Sequence, residues 1–233
     1  VMPMNRLVKV LSLMVLMVSF TLPTYAKEAL WEVLNEKVIK LYQQGQYSEA
    51  ANTAKEALTV AKETFGSNHP KVAISLRNLA LLYKAQGKYA EAETLYKRAL
   101  KIYERALGKD HPDVAISLRN LALLYHDQGK YAEAETLYKR ALKIYERALG
   151  KDHPDVAISL RNLALLYHDQ GKYAEAEPLY KRSLEIKEKV LGKDHPNVAT
   201  TLENMAGFYK EIGKKDEAEK LLKRAQKIRS RYQ

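Results

Sequence analysis

The chain contains no cysteine. That excludes disulfides, thiolate metal sites, a cysteine nucleophile and lipid attachment at an N-terminal cysteine. No Ser-His-Asp arrangement, glycine-rich phosphate loop or isolated carboxylate pair stands out, so no enzyme, metal or cofactor is expected. Glycine and proline are scarce, 10 and 7 of 233 residues, and they sit at regular places. What is abundant is Ala, Leu, Lys, Glu and Tyr, a helix-forming set. With 46% hydrophobic and 29% charged residues the composition is that of a globular chain.

The first 26 residues depart from this composition. Arg6 and Lys9 form a basic head without acids, Val10–Leu22 is apolar apart from two serines and a threonine, and Pro23 precedes Thr24-Tyr25-Ala26. This pattern predicts a signal peptide over 1–26, cleaved after Ala26, and hence an exported protein, periplasmic or secreted. An uncleaved anchor is the alternative. The run of 13 residues is shorter than the ~20 that span a bilayer. Val1 precedes Met2 and Met4, either of which would serve as the start. Beyond the leader the chain carries 37 basic and 28 acidic residues, net +9. By 42-residue block the charge runs −1, +5, +1, 0 and +4, which is not a continuous basic stripe, so nucleic acid is not expected as a partner.

His-Pro recurs at 69–70, 111–112, 153–154 and 195–196, and Gly45, Gly87, Gly129, Gly171 and Gly213 keep the same period of 42. Five blocks result: 27–68, 69–110, 111–152, 153–194 and 195–233. Blocks two and three agree at 39 of 42 positions, blocks three and four at 36. A period in this range predicts stacked repeats. Each block reads as two helices. In block three, Leu118, Leu121, Ala122 and Tyr125 give one apolar face, and Gly129 ends that helix. Ala134, Leu137, Tyr138, Ala141 and Tyr145 give the face of a second helix, ended by Gly150. Asp152 is the expected N-cap of the next helix, with Pro154 in its first turn. Lengths of about 25 and 28 Å follow from about 1.5 Å per residue. Pro178 replaces Thr136 early in a second helix and should be tolerated there.

The pattern Leu118-x2-Leu121-Ala122-x2-Tyr125, then Gly129, Tyr131, Ala134, Tyr138 and Ala141, resembles the tetratricopeptide repeat. The 42-residue period with HPDVA, NLALLY and QGKYAEAE resembles its kinesin-light-chain-like subtype. The resemblance covers 27–233. It implies an all-α, right-handed solenoid of about five helical hairpins that serves as a protein-binding scaffold. It is weakest in the first block, where Val38, Leu41 and Ala54 replace core Ala, Tyr and Tyr, and in the last, where Lys215 and Leu222 replace Tyr131 and Tyr138.

Ile116, Arg119, Asn120, Leu123, His126 and Asp127 share the other stripe of the first helix. The resemblance implies that this stripe lines a concave groove, where stacking makes ladders: Arg77, Arg119 and Arg161; Asn78, Asn120, Asn162 and Asn204; Leu81, Leu123 and Leu165. His126 and His168 lie at its rim. Arg offers carboxylates a fork, Asn offers a peptide unit both donor and acceptor, and Leu offers apolar sockets. The expected partner is an extended, acidic peptide. The competing reading is that Asn and Arg join neighbouring repeats, copied by duplication. His69, His111, His153 and His195 read as turn or capping residues. Successive blocks are too far apart for their histidines to share a metal.

The tail KLLKRAQKIRSRYQ (220–233) has six basic residues and no acid. It reads as a last amphipathic helix with Leu221, Leu222, Ala225 and Ile228 inward, or as a contact with anionic membrane or polymer. Homo-oligomers by end stacking are the remaining alternative.

Overall fold

A computed structural model describes residues 23–232, and every regular element within them is a helix. In chain order these are α1 Thr24–Gln43, α2 Tyr47–Phe65, α3 Pro70–Ala85, α4 Tyr89–Leu107, α5 Pro112–Asp127, α6 Tyr131–Leu149, α7 Pro154–Asp169, α8 Tyr173–Leu191, α9 Pro196–Glu211 and α10 Lys215–Arg229. The expected leader lies outside the described residues up to position 22, and Thr24-Tyr25-Ala26 form the first turn of α1. Two compact units divide the chain, one up to Ala106 and one from Leu107.

Each 16-residue first helix begins in the same way. His153 is the residue before Pro154, holds an extended backbone and accepts the Asp155 N–H on Nδ1 at 3.2 Å. His69, His111 and His195 do the same at 3.1, 3.2 and 3.1 Å. Asp152 is therefore not the N-cap. Proline sets the first helical position, so the capping side chain must come from the residue directly before it. Asp152 instead pairs with Lys189.

The described helices before α10 stop at glycines with left-handed torsions, and α10 has Ser230 as its C-cap. Gly129 has φ +71° and Lys130 N–H closes back on the Tyr125 carbonyl at 2.9 Å. Gly150, at φ +90° and ψ 157°, occupies a region that is essentially glycine-only. A Cβ at either glycine would meet nothing within 4 Å, so the requirement is one of backbone conformation, not space.

In the unit from Leu107, α5 fully buries Val114, Ala115, Leu118, Ala122 and Leu124, and α6 fully buries Ala134, Tyr138, Ala141 and Tyr145. The alanines let backbones approach, and the tyrosines fill the space beside them. α8 runs unbroken through Pro178, sixth in the helix. Proline there forfeits one N–H bond, and early placement confines the damage to the first turns.

In the first unit, Val38, Leu41 and Ala54 are buried although they depart from the repeat pattern. Trp31 Nε1 donates to Ser75 Oγ at 2.8 Å and ties α1 to α3. On α10, Ala225 and Ile228 are buried and Leu221 packs partly against Val198, Ala199 and Leu202. Leu222 does not face inward. It is 42% exposed, whereas Tyr138 and Tyr180, its counterparts, are fully covered. Among the described residues no repeat follows α10 to cover it.

Two substitutions test this packing. Ala134→Leu should lower stability by about 1–3 kcal/mol through overpacking. Gly129→Ala should lower it by about 1 kcal/mol through the left-handed torsion. Both are read as a lower urea midpoint at unchanged slope.

Candidate functional site

The 3.6-residue period that turns Leu118 and Ala122 inward turns a second stripe of each first helix outward. In the unit from Leu107, Arg119, Asn120, Arg161, Asn162 and Asn204 are half-buried on α5, α7 and α9. Leu123 is 37% exposed on α5. In the first unit, Arg77 and Asn78 are half-buried on α3, and Leu81 is 37% exposed.

Between α5, α6 and α7 a hollow of about 220 Å³ opens, which Leu123 and Asn162 line and Arg119 and Arg161 do not. Leu123, His126, Asn162 and Leu165 line it, with Tyr138 and Asp169. The Tyr138 hydroxyl is buried without a hydrogen-bond partner. Burial, reinforced by the Asp127 charge, pushes its pKa well above the ordinary phenol value, so it stays a neutral donor. The hollow thus combines apolar walls, an amide and an unspent hydroxyl.

Several stripe residues meet the next repeat. Arg119 Nη1 lies 3.3 Å from Asp155 Oδ1. His126 Nε2 lies 2.7 Å from Asp169 Oδ2, and His168 Nε2 lies 2.7 Å from Glu211 Oε2. In the first unit, Asn78 Nδ2 donates to Asn35 Oδ1 at 3.0 Å. The histidine and asparagine contacts join residues 43 apart, one period plus one. The competing expectation, that Asn and Arg join neighbouring repeats, describes Asn78 and Arg119, while the offset of 43 is not readable from the period of 42. Arg119 is accordingly engaged by an acid of its own chain. Among the described residues no group of three or more His, Asp or Glu is placed to hold a metal ion.

Arg161 differs from Arg119. Its Nη2 donates to Asn162 Oδ1 at 3.4 Å, and its buried Nε has no partner. Burial lowers its pKa, with repulsion from Arg119 adding to the effect. Lys187 on α8 is only 6% exposed and donates to Thr201 Oγ1 at 2.7 Å. Burial first, and then repulsion from Arg161, pull its pKa down to about 8. Sequence reading passed over Lys187 because it breaks the repeat instead of repeating. The signal was there: block three has Tyr145 at that place.

The basic tail is largely answered within the chain. Arg229 reaches Glu203 through two nitrogens at 3.0 and 2.8 Å, Lys223 pairs with Glu219 at 2.6 Å, and Arg231 pairs with Asp194. Arg224 pairs with Glu188 at 2.5 Å. Among the described residues no helix is long and apolar enough to cross a membrane.

Helix pairs with recurring His-Pro starts and glycine stops, and an outward stripe on α3, α5, α7 and α9, define a helical-repeat protein. The tetratricopeptide-repeat profile matches residues 34–105, 78–147, 113–189 and 155–231, and the chain belongs to this family. The repeat is generally a protein–protein interaction scaffold. Among solved structures, the chain is similar to BtubC (BKLC) from P. vanneervenii, at 28% identity and TM-score 0.76, covering 88% of this chain and 82% of that one. It is similar also to a Podosopora anserina kinesin-light-chain-type protein with nearly identical TPR-like repeats, at 28% identity and TM-score 0.72, covering 86% and 95%. Pseudomonas aeruginosa PilF shares the fold at 19% identity and TM-score 0.63, covering 87% and 78%. No curated protein matches the chain. The fold is thus all-α, in helical repeats of the tetratricopeptide solenoid type with kinesin-light-chain-like neighbours.

The Lys187 pKa carries a stability consequence. Its folded value of about 8 lies below the 10.5 of the free side chain, so between these values the unfolded chain binds more protons. Stability should therefore rise with pH from about 8 upward, by about 2 kcal/mol between pH 7 and 9.5. Urea midpoints across this range should show the rise in the native chain and lose it in Lys187→Tyr.

Proposed function

We propose that this protein is a non-catalytic interaction scaffold that binds an extended, acidic peptide segment along the first-helix face. The observation that carries the reading is the hollow between α5, α6 and α7. It presents the apolar flanks of Leu123 and Leu165, the Asn162 amide and the unpartnered Tyr138 hydroxyl together. An extended peptide supplies what these groups lack, namely alternate side chains for the sockets and backbone polar groups for the amide and hydroxyl.

The rest of the face supports an acidic partner in part. Arg161 on α7 has an unpaired Nε and no carboxylate bonded to it among the described residues. Arg119 is held by Asp155 and contributes less as a fork. Asp127 and Asp169 at the far end of the hollow disfavour acids there. Peptide acids therefore belong toward the N-terminal half of α7, and neutral residues toward its C-terminal half. The basic head and apolar run before Pro23 support export, so the partner is sought in the envelope or outside the cell.

The exposed Leu222 favours a second reading, end-to-end self-association, since its buried counterparts are covered by a following repeat. Light scattering separates the two. A monomer at all concentrations, unchanged by Leu222→Glu, removes it.

The peptide reading is tested by titrating the full chain with a library of acidic, neutral and basic peptides. Acidic peptides should bind best, and the pair Leu123→Asp plus Asn162→Ala should weaken binding at least tenfold. Unchanged affinity in that pair would sink the proposal. Replacing Arg119 alone should weaken binding less than replacing Arg161.

A further inference from the structure

Blocks three and four are near-copies, so the places where copying failed are informative. Lys187 stands where block three has Tyr145, and Asn197 stands where block four has Asp155. Both changes fall at one junction, between the fourth and fifth blocks. At the preceding junction the corresponding side chains satisfy one another. Arg119 Nη1 lies 3.3 Å from Asp155 Oδ1, and its guanidinium carbon lies 5.8 Å from the Tyr145 ring centroid. At the later junction Arg161 has asparagine in place of the acid and a second cation in place of the ring.

Among the described residues nothing restores the lost negative charge. Lys187 Nζ donates to Thr201 Oγ1 at 2.7 Å and to the Asn197 carbonyl at 3.4 Å, both neutral. The Arg161 Nε is buried and unpartnered. Asp155, beside Pro154 in sequence, is taken by Arg119, and Glu203 on α9 is taken by Nε and Nη2 of Arg229, whose Nη2 also donates to Thr200 Oγ1 at 3.2 Å. Among the described residues no carboxylate is bonded to Arg161 or Lys187. Two cations that repel each other in a buried place cost stability unless an anion joins them.

Space for that anion is present. A hollow of about 200 Å³ opens beside them, lined by Arg161, Lys187 and Thr200 and by the apolar Pro154, Ile158 and Leu191. Cations beside aliphatic walls suit a carboxylate on a short methylene chain better than a bare ion. Arg161 and Asn162 are adjacent on α7, so this hollow follows directly on the Leu123–Asn162 hollow along the same helix.

We infer that the pocket formed by Arg161, Lys187 and Thr200 receives a glutamate side chain of the bound acidic segment. The carboxylate lies between the two cations, and the methylenes lie against Ile158 and Leu191. This rests on the peptide reading above and gives that reading a direction: neutral residues over α5 and the acid between α7, α8 and α9.

The test is an amide NMR titration of the full chain with butyrate, exchanged against chloride at constant ionic strength. The double variant Lys187→Tyr plus Asn197→Asp serves as control, because it restores the residues found at the preceding junction. Saturable shifts at Arg161, Lys187 and Thr200 are expected in the native chain, with at least tenfold weaker binding in the variant. No saturable shift in the native chain, or equal shifts in a folded variant, overturns the inference. A glutamate-bearing peptide should displace butyrate, and its glutamine counterpart should not. Peptide binding that leaves the butyrate shifts in place overturns this pocket as the glutamate site and leaves the neighbouring hollow standing. Butyrate shifts without any peptide binding retain a carboxylate pocket and remove the peptide as its source.

Discussion

Everything in this molecule depends on the close approach of helices at alanine. Ala115, Ala122, Ala134 and Ala141 are fully buried, and so are Tyr138 and Tyr145 beside them. A helix pair with such faces leaves an apolar strip that its own hairpin does not cover. The strip is buried only when a neighbouring pair packs on it, which is why the sequence repeats. The α6–α7 and α8–α9 contacts in the unit from Leu107 are of this kind. Leu222 shows the converse: with no covering repeat among the described residues, the same position is 42% exposed.

That packing also decides which residues remain for partners. Once the Leu-Ala-Tyr face turns inward, helical geometry leaves Arg119, Asn120, Leu123 and His126 on the outward stripe. Stacking then brings successive stripes together. Part of the stripe is consumed by the chain itself, as His126 with Asp169 and Arg119 with Asp155. Part is left over, as Leu123 and Leu165, which line one hollow with the Tyr138 hydroxyl of α6. A ladder of identical residues is therefore not a ladder of identical roles. Arg119 and Arg161 occupy equivalent places in near-identical sequence, and two changes one repeat on, Asp155 to Asn197 and Tyr145 to Lys187, separate a guanidinium paired with a carboxylate from one that has none.

The repeat fold was legible because its signals are local and redundant. Helix periodicity, glycine stops and His-Pro starts recur every 42 residues, and the burial of Leu118, Tyr138 and Ala141 follows from them. Two local readings gave way for equally local reasons. His153, not Asp152, caps α7, because proline determines where the helix begins. Leu222 faces out because inward packing requires a partner that periodicity alone does not supply.

By itself the sequence determined the helix pairs, their capping and stopping, and which stripe of each first helix faces away from the core. These follow from torsional preference and hydrophobic spacing within a few residues of chain. Only the tertiary structure decided which outward residues pair across repeats. The 43-residue offset of His126 to Asp169 depends on how neighbouring helices are shifted along their axes, which no single helix specifies. It likewise decided that Lys187 and Arg161, 26 positions apart in the chain, line one hollow that no acid lines. Charge neutralisation depends on distance in space, and in a stacked repeat that distance is set by the packing of alanine against tyrosine.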